Sequence, residues 1–176
     1  AIGGDPDYGW AYIRKAQAYM QLDNAQEMEK AVNNAVSIGE KAGEEKMVST
    51  ATELAYKYFY NKGAKALKAK NYASAIPNLQ KAVEYNENPT LYHYLAVCYS
   101  KESNFEKAVE NEKKVIQALE GEKSKDELAQ YYYTLGTYYE KLGQSANACD
   151  AYKNAAFGKY KKNAEYKIQY ELNCQM

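Results

Sequence analysis

Residues 132–155 read YYTLGTYYEKLGQSANACDAYKNA, and the fold is decided there. Tyr132, Leu135, Gly136 and Tyr139, then Ala148, Tyr152 and Ala155, recur at three- and four-residue steps on either side of Gly143. Such steps put each set on one face of a helix, and Gly143 supplies the positive φ of a turn between two antiparallel helices. Upstream the same plan recurs. Gly63 and Ala75, Ala96 and Ala108, Gly136 and Ala148 are each 12 residues apart, the spacing of two helices that cross closely where a small side chain on one faces a small side chain on the other. Helix punctuation agrees with this parsing. Asn88 before Pro89 reads as an N-cap with proline at the first helical position. Ser103 to Glu106 and Ser124 to Glu127 read as capping boxes. Pro77, near the start of its helix, is expected to bend that helix without breaking it.

The order aromatic-x2-Leu-Gly-x2-Tyr, then Ala-x3-aromatic, resembles the tetratricopeptide repeat. Tyr92, Leu95, Ala96, Tyr99, Phe105 and Ala108 carry it in one segment, and Phe59, Gly63, Ala66, Tyr72, Ala75, Leu79 and Ala82 in the segment before. The resemblance implies an all-α fold, an α-solenoid of antiparallel helix pairs wound as a right-handed superhelix, with about seven to eight helices. Residues 1–6 read as a flexible leader and 7–176 as one helical domain. Within it, 7–43 forms a degenerate hairpin in which Ala16 and Met28 keep the spacing of 12, though Met is a poor small residue. Repeats follow at 47–87, 88–121 and 124–157, and 159–176 is a solvating cap with Ala164, Ile168 and Leu172 on one side. The interval from Ala96 to Gly136 is 40 residues against 33 for the one before. The excess is expected in the helix after Phe105 or in the turn at Gly121.

Composition excludes several functions. The 176 residues hold 23 basic and 23 acidic side chains, and Arg14 is the single arginine. No basic footprint for nucleic acid exists, and no apolar run approaches the roughly 20 residues of a membrane span. Tyrosine has 20 copies against three Phe and one Trp, which suits a thin protein whose core is everywhere close to water. The opening lacks an initiator Met, so the chain reads as a processed mature form or a trimmed piece.

Catalysis lacks parts. His93 is the lone histidine, no cysteine pair has metal-ligand spacing, and no Gly-rich loop follows a strand. His93 reads as a groove or surface residue, and the acidic residues read as ordinary solvated faces. No enzyme, cofactor or metal is indicated. Where the pattern residues of each first helix turn inward, the helical period sends their neighbours into the concave groove that the resemblance implies. These are Tyr60, Asn61, Ala64 and Lys68, then His93, Tyr94, Val97 and Lys101, then Tyr133, Thr134, Thr137 and Lys141. Tyr60, Tyr94 and Tyr133 are expected to stand open there, above a row of lysines. The expectation is a scaffold or adaptor that binds a protein or peptide segment in that groove. A glycan or small-ligand binder with a tyrosine-lined groove and a structural oligomerising module of a cell-envelope assembly are the alternatives. Family members that grip the carboxyl terminus of heat-shock chaperones need basic residues and Asn where this chain has Tyr60, Ala64, Tyr94, Gln130 and Thr134, so that partner is disfavoured. The near absence of Arg with abundant Tyr, Asn and Lys is similar to exported proteins of Gram-negative bacteria. Three cysteines leave the redox compartment open. Cys149 and Cys174 are expected level with each other across the last hairpin, as a disulfide or as two thiols, with Cys98 free.

Overall fold

The computed structural model describes residues 6–174. The expected leader therefore lies outside the described residues except for Pro6, which opens the first helix. Eight long helices follow in order: α1 (Pro6–Gln21), α2 (Ala25–Ala42), α3 (Glu45–Lys68), α4 (Tyr72–Tyr85), α5 (Pro89–Lys101), α6 (Phe105–Leu119), α7 (Lys125–Lys141) and α8 (Ser145–Ala155). A 3-10 turn at Gly158–Tyr160 leads into the short α9 (Lys161–Tyr166). No strand occurs among the described residues. The architecture is all-α, an α-solenoid of antiparallel helix pairs.

A single register runs through all four hairpins, the first included. Seven residues beyond the small residues Ala16, Gly63, Ala96 and Gly136 stand Asp23, Lys70, Ser103 and Gly143, with φ of 53°, 58°, 59° and 68°. Each first helix thus leaves through a left-handed residue. The next residue caps the second helix. Asn24, Asn71 and Asn104 accept from the backbone N–H of Glu27, Ser74 and Lys107 at 3.2, 3.1 and 3.1 Å. Gln144, one methylene longer, makes no such bond. The capping box expected at Ser103 is therefore not formed, because Ser103 is the left-handed turn residue and Asn104 takes the cap. At Ser124 the box forms in both directions, and at Asn88 the cap accepts from Leu91 N at 3.2 Å. Helix α4 runs unbroken through Pro77.

The small residues make room for a side chain sixteen positions on. A Cβ on Gly136 would lie 2.8 Å from the Tyr152 ring, and one on Gly63 would lie 2.7 Å from the Leu79 side chain. Ala75, Ala108 and Ala148 are fully buried, but the tightest approach is to the residue one turn later. Val32, Leu79, Glu112 and Tyr152 share that later position, and all four are 0% exposed.

Backbone proximity groups the chain into two compact units: one runs through Ala66 and adds Pro77–Glu87, the other holds Leu67–Ile76 and everything from Asn88 onward. In the first, α1 packs on α2 around Ile13, Ala16, Met28, Val32 and Ala35. Tyr58 of α3 donates its hydroxyl to Asp23 at 2.7 Å, beside the Lys62 ammonium. In the second, α5 to α8 pack in succession, and Ile116, Leu135, Tyr139, Ala148, Ala151, Tyr152, Ala155 and Ala164 form a continuous core. The additional residues between Ala96 and Gly136 fall mainly at the start of α7. Its capping box nucleates the helix at Lys125, eleven residues before Gly136, whereas α5 starts at Pro89, seven before Ala96.

The expected C-terminal cap differs in form. Its α-helical part ends at Tyr166, and Lys167–Glu171 continue as a wider π turn. That turn keeps Ile168 and Leu172 against the core and brings Cys174 level with Cys149, to which it is disulfide-bonded with a Cα–Cα distance of 5.7 Å. Cys98 is buried and free. No helix among the described residues is long and apolar enough to cross a membrane.

Candidate interaction surface on the first helices

Each first helix buries its pattern residues and leaves a neighbouring stripe wetter. In the first unit, α3 holds Tyr60 half-buried and stacked on Tyr56, with ring centroids 5.7 Å apart. Asn61 is exposed and Ala64 half-buried.

The remaining stripe residues belong to the second unit. Lys68 is exposed, as are Lys101 on α5 and Lys141 on α7. None of the three has an ion-pair or ring partner among the described residues. Tyr94 and Val97 are half-buried. Thr134 and Thr137 turn their hydroxyls back onto their own helix, donating to the Gln130 and Thr134 carbonyls at 2.9 and 2.7 Å.

Tyr133 does not stand clear of the repeat core as expected. Its ring packs edge-on against the buried Tyr152 at 5.2 Å and tilts against Tyr160 at 5.4 Å. The cause is the glycine at 136, which lets Tyr152 reach across the helix pair until it meets Tyr133. Burial lifts the Tyr152 phenol far above its usual range, and the nearby Glu140 carboxylate adds to the rise. Glu140 itself is held by Lys167, 3.2 Å away.

His93 is the stripe residue with the least ordinary surroundings. Its Nδ1 lies 3.1 Å from one carboxylate oxygen of Glu112 and 3.3 Å from the other. Glu112 is wholly buried, which corrects the expectation that the acidic residues all lie on solvated faces. Burial raises its carboxyl above the ordinary range, and His93 pulls it back down. The side chain of His93 is 34% exposed, and Tyr131 of α7 sets its ring edge-to-face on the imidazole at 5.5 Å. Glu112 could have been found in the sequence as the residue sixteen beyond Ala96. Close by, Lys123, Asp126, Gln130, Tyr131, Lys159 and Tyr160 line an open cavity of about 370 Å³.

Antiparallel helical hairpins in one register, each leaving its first helix through a left-handed residue, define a helical-repeat solenoid. The fold is of the tetratricopeptide-repeat type. The tetratricopeptide repeat model matches residues 11–40 and 129–156, so the hairpin that reads as degenerate is among those matched. MamA, known from a crystal structure, shares the fold with a TM-score of 0.52 and 19% identity over 93% of this chain and 95% of that one. A second MamA structure, of AMB-1, gives 0.51 and 17% over 86% and 91%. No curated protein matches the chain by sequence.

Proposed function

We propose that this protein is a non-catalytic scaffold that holds an extended acidic segment of a protein partner along the lysine-bearing stripe of its second compact unit. Repeats of this family generally serve as interaction surfaces. The observation that carries the reading is the set Lys68, Lys101 and Lys141, one per repeat at the same place, each exposed and without an ion-pair partner among the described residues. Unneutralised charge in register complements an acidic chain, and Tyr94 beside it offers aromatic area. The test uses a short oligoglutamate peptide and the triple variant Lys68→Ala, Lys101→Ala, Lys141→Ala. The reading expects at least a roughly tenfold loss of affinity with unchanged melting, and equal binding by both proteins would refute it.

One observation favours a second reading, the binding of a saccharide. The cavity beside Tyr131 and Tyr160 pairs two aromatic rings with the polar side chains of Asp126 and Gln130. The bridge between Cys149 and Cys174 supports an oxidising setting, so we place the protein in an exported or cell-envelope location.

A further inference from the structure

Among the described residues, the large apolar side chains that stand exposed are Tyr8, Leu22, Tyr166 and Tyr170, at 48, 73, 55 and 70%. All of them belong to the first and last elements of the chain. Tyr8 lies on α1 and Leu22 in the turn that closes it, while Tyr166 ends α9 and Tyr170 stands in the π turn that follows. Scattered singly, such residues need no explanation, but here they fall as one pair on each of two faces.

The face on α1 is built to receive a helix. Tyr8, Tyr12, Lys15, Tyr19 and Leu22 recur at three- and four-residue steps, a stripe about 20 Å long at the helical rise. Lys15 lays its ammonium over the Tyr12 and Tyr19 rings at 5.9 and 5.7 Å. Ala11 and Ala18, both exposed, are the low points between the rings. Counted from the small residue, Tyr12, Lys15 and Tyr19 stand where α7 has Tyr132, Leu135 and Tyr139, and there Leu135 and Tyr139 join the core with Ile116 of the preceding α6. No helix precedes α1 among the described residues.

The face on the last element matches it in chemistry. Tyr166 and Tyr170 are one turn apart with ring centroids at 5.3 Å. Glu165 beside them is exposed, and neither it nor Lys15 has an ion-pair partner among the described residues. From Tyr8 to Gln21, α1 carries Arg14 and Lys15 and no acidic residue. We propose that the protein binds a second copy of itself head to tail, with Tyr166 and Tyr170 of one copy lying across Ala11 and Ala18 of the next and Glu165 against Lys15. One heterologous contact then covers both faces. A two-fold contact of α1 with α1 would instead bring two Lys15 ammonium groups together without a carboxylate, and it would leave Tyr166 and Tyr170 wet. The lysine stripe of the scaffold reading takes no part in this contact.

A contact between single helix faces is small, about 1,000 Å² in total or less, so association should be weak. Sedimentation equilibrium of the native chain should show its weight-average mass rising between about 10 μM and about 1 mM. Ala18→Glu closes the α1 face and Tyr170→Lys closes the other, and because both positions are exposed neither should change the melting temperature. Each variant alone should stay monomeric. An equimolar mixture of the two should form dimers with one chain of each and nothing larger, since each keeps the face that the other has lost. Lys15→Glu and Glu165→Lys should each weaken association about fivefold, and both changes in one chain should restore it. A native chain that stays monomeric to about 1 mM overturns the proposal, as does association that survives either Ala18→Glu or Tyr170→Lys, or a mixture of the two that fails to dimerise.

Discussion

Replacing His93 by tyrosine and Glu112 by leucine together would give the second repeat the pair that the first already has in Tyr60 and Leu79. The single changes separate what each residue contributes. His93→Ala strips Glu112, which is 0% exposed, of the one side chain among the described residues that hydrogen-bonds its carboxylate. Leaving a buried carboxylate unpaired costs about 3–5 kcal/mol, and the low end applies because the carboxyl can take up a proton instead of staying charged. Glu112→Leu leaves an imidazole that is 34% exposed and able to hydrate its freed nitrogen, so its cost should be about 1 kcal/mol or less. The double variant should match or exceed native stability, since an apolar pair needs no desolvation of charge. Urea unfolding at several pH values provides the assay. Burial raises the Glu112 carboxyl in the folded chain. A carboxyl raised by folding stabilises the native state when protonated. Its contribution is therefore full below the unfolded value near 4.3 and is lost as pH rises through the higher folded value. That loss should be steepest in His93→Ala, where the counter-charge is gone, and absent from the double variant. The reasoning fails if His93→Ala costs under about 1 kcal/mol, or if the double variant keeps the native pH profile.

Three further outcomes are expected. Gly136→Ala should destabilise by about 1–2 kcal/mol although alanine is the better helix former by about 1, because its Cβ would lie 2.8 Å from a Tyr152 ring that is itself pressed on Tyr133; thermal melting reads the sign. Ser103→Gly and Gln144→Asn should each raise stability by about 1 kcal/mol, the first by relieving a left-handed serine at φ 59° and the second by restoring the cap the other three hairpins have. Thiol titration of the denatured, unreduced protein should find one free thiol, Cys98, and reduction should lower stability by up to about 3.5 kcal/mol given the 25-residue separation of the bridged cysteines.

The repeat plan was legible because it rests on residue size. Glycine or alanine at 63, 96 and 136 marks where helices approach, and Gly143 and Asn88-Pro89 mark a turn and a helix start with little ambiguity. The turn residues were less visible. Lys70 and Ser103 adopt left-handed backbone without being glycine, and only comparison with Gly143 at the same register exposes them. Ser103 invited a cap assignment that belongs to Asn104, since a serine three residues before a glutamate looks the same whether or not it is the turn residue. Tyr133 and Glu112 escaped for a further reason. A helical period says which side of its own helix a residue occupies, and it is silent on how far a partner reaches across. Tyr152, four residues beyond the expected contact at Ala148, closes over the stripe and draws Tyr133 in. Glu112 sits at the same place one repeat earlier, where its charge disguised it as a surface residue among neighbouring lysines. Register carries the missing information. Once Val32, Leu79 and Tyr152 are seen to share a buried position, a glutamate at the fourth must find a donor, and the residue opposite it in the register is the chain's single histidine.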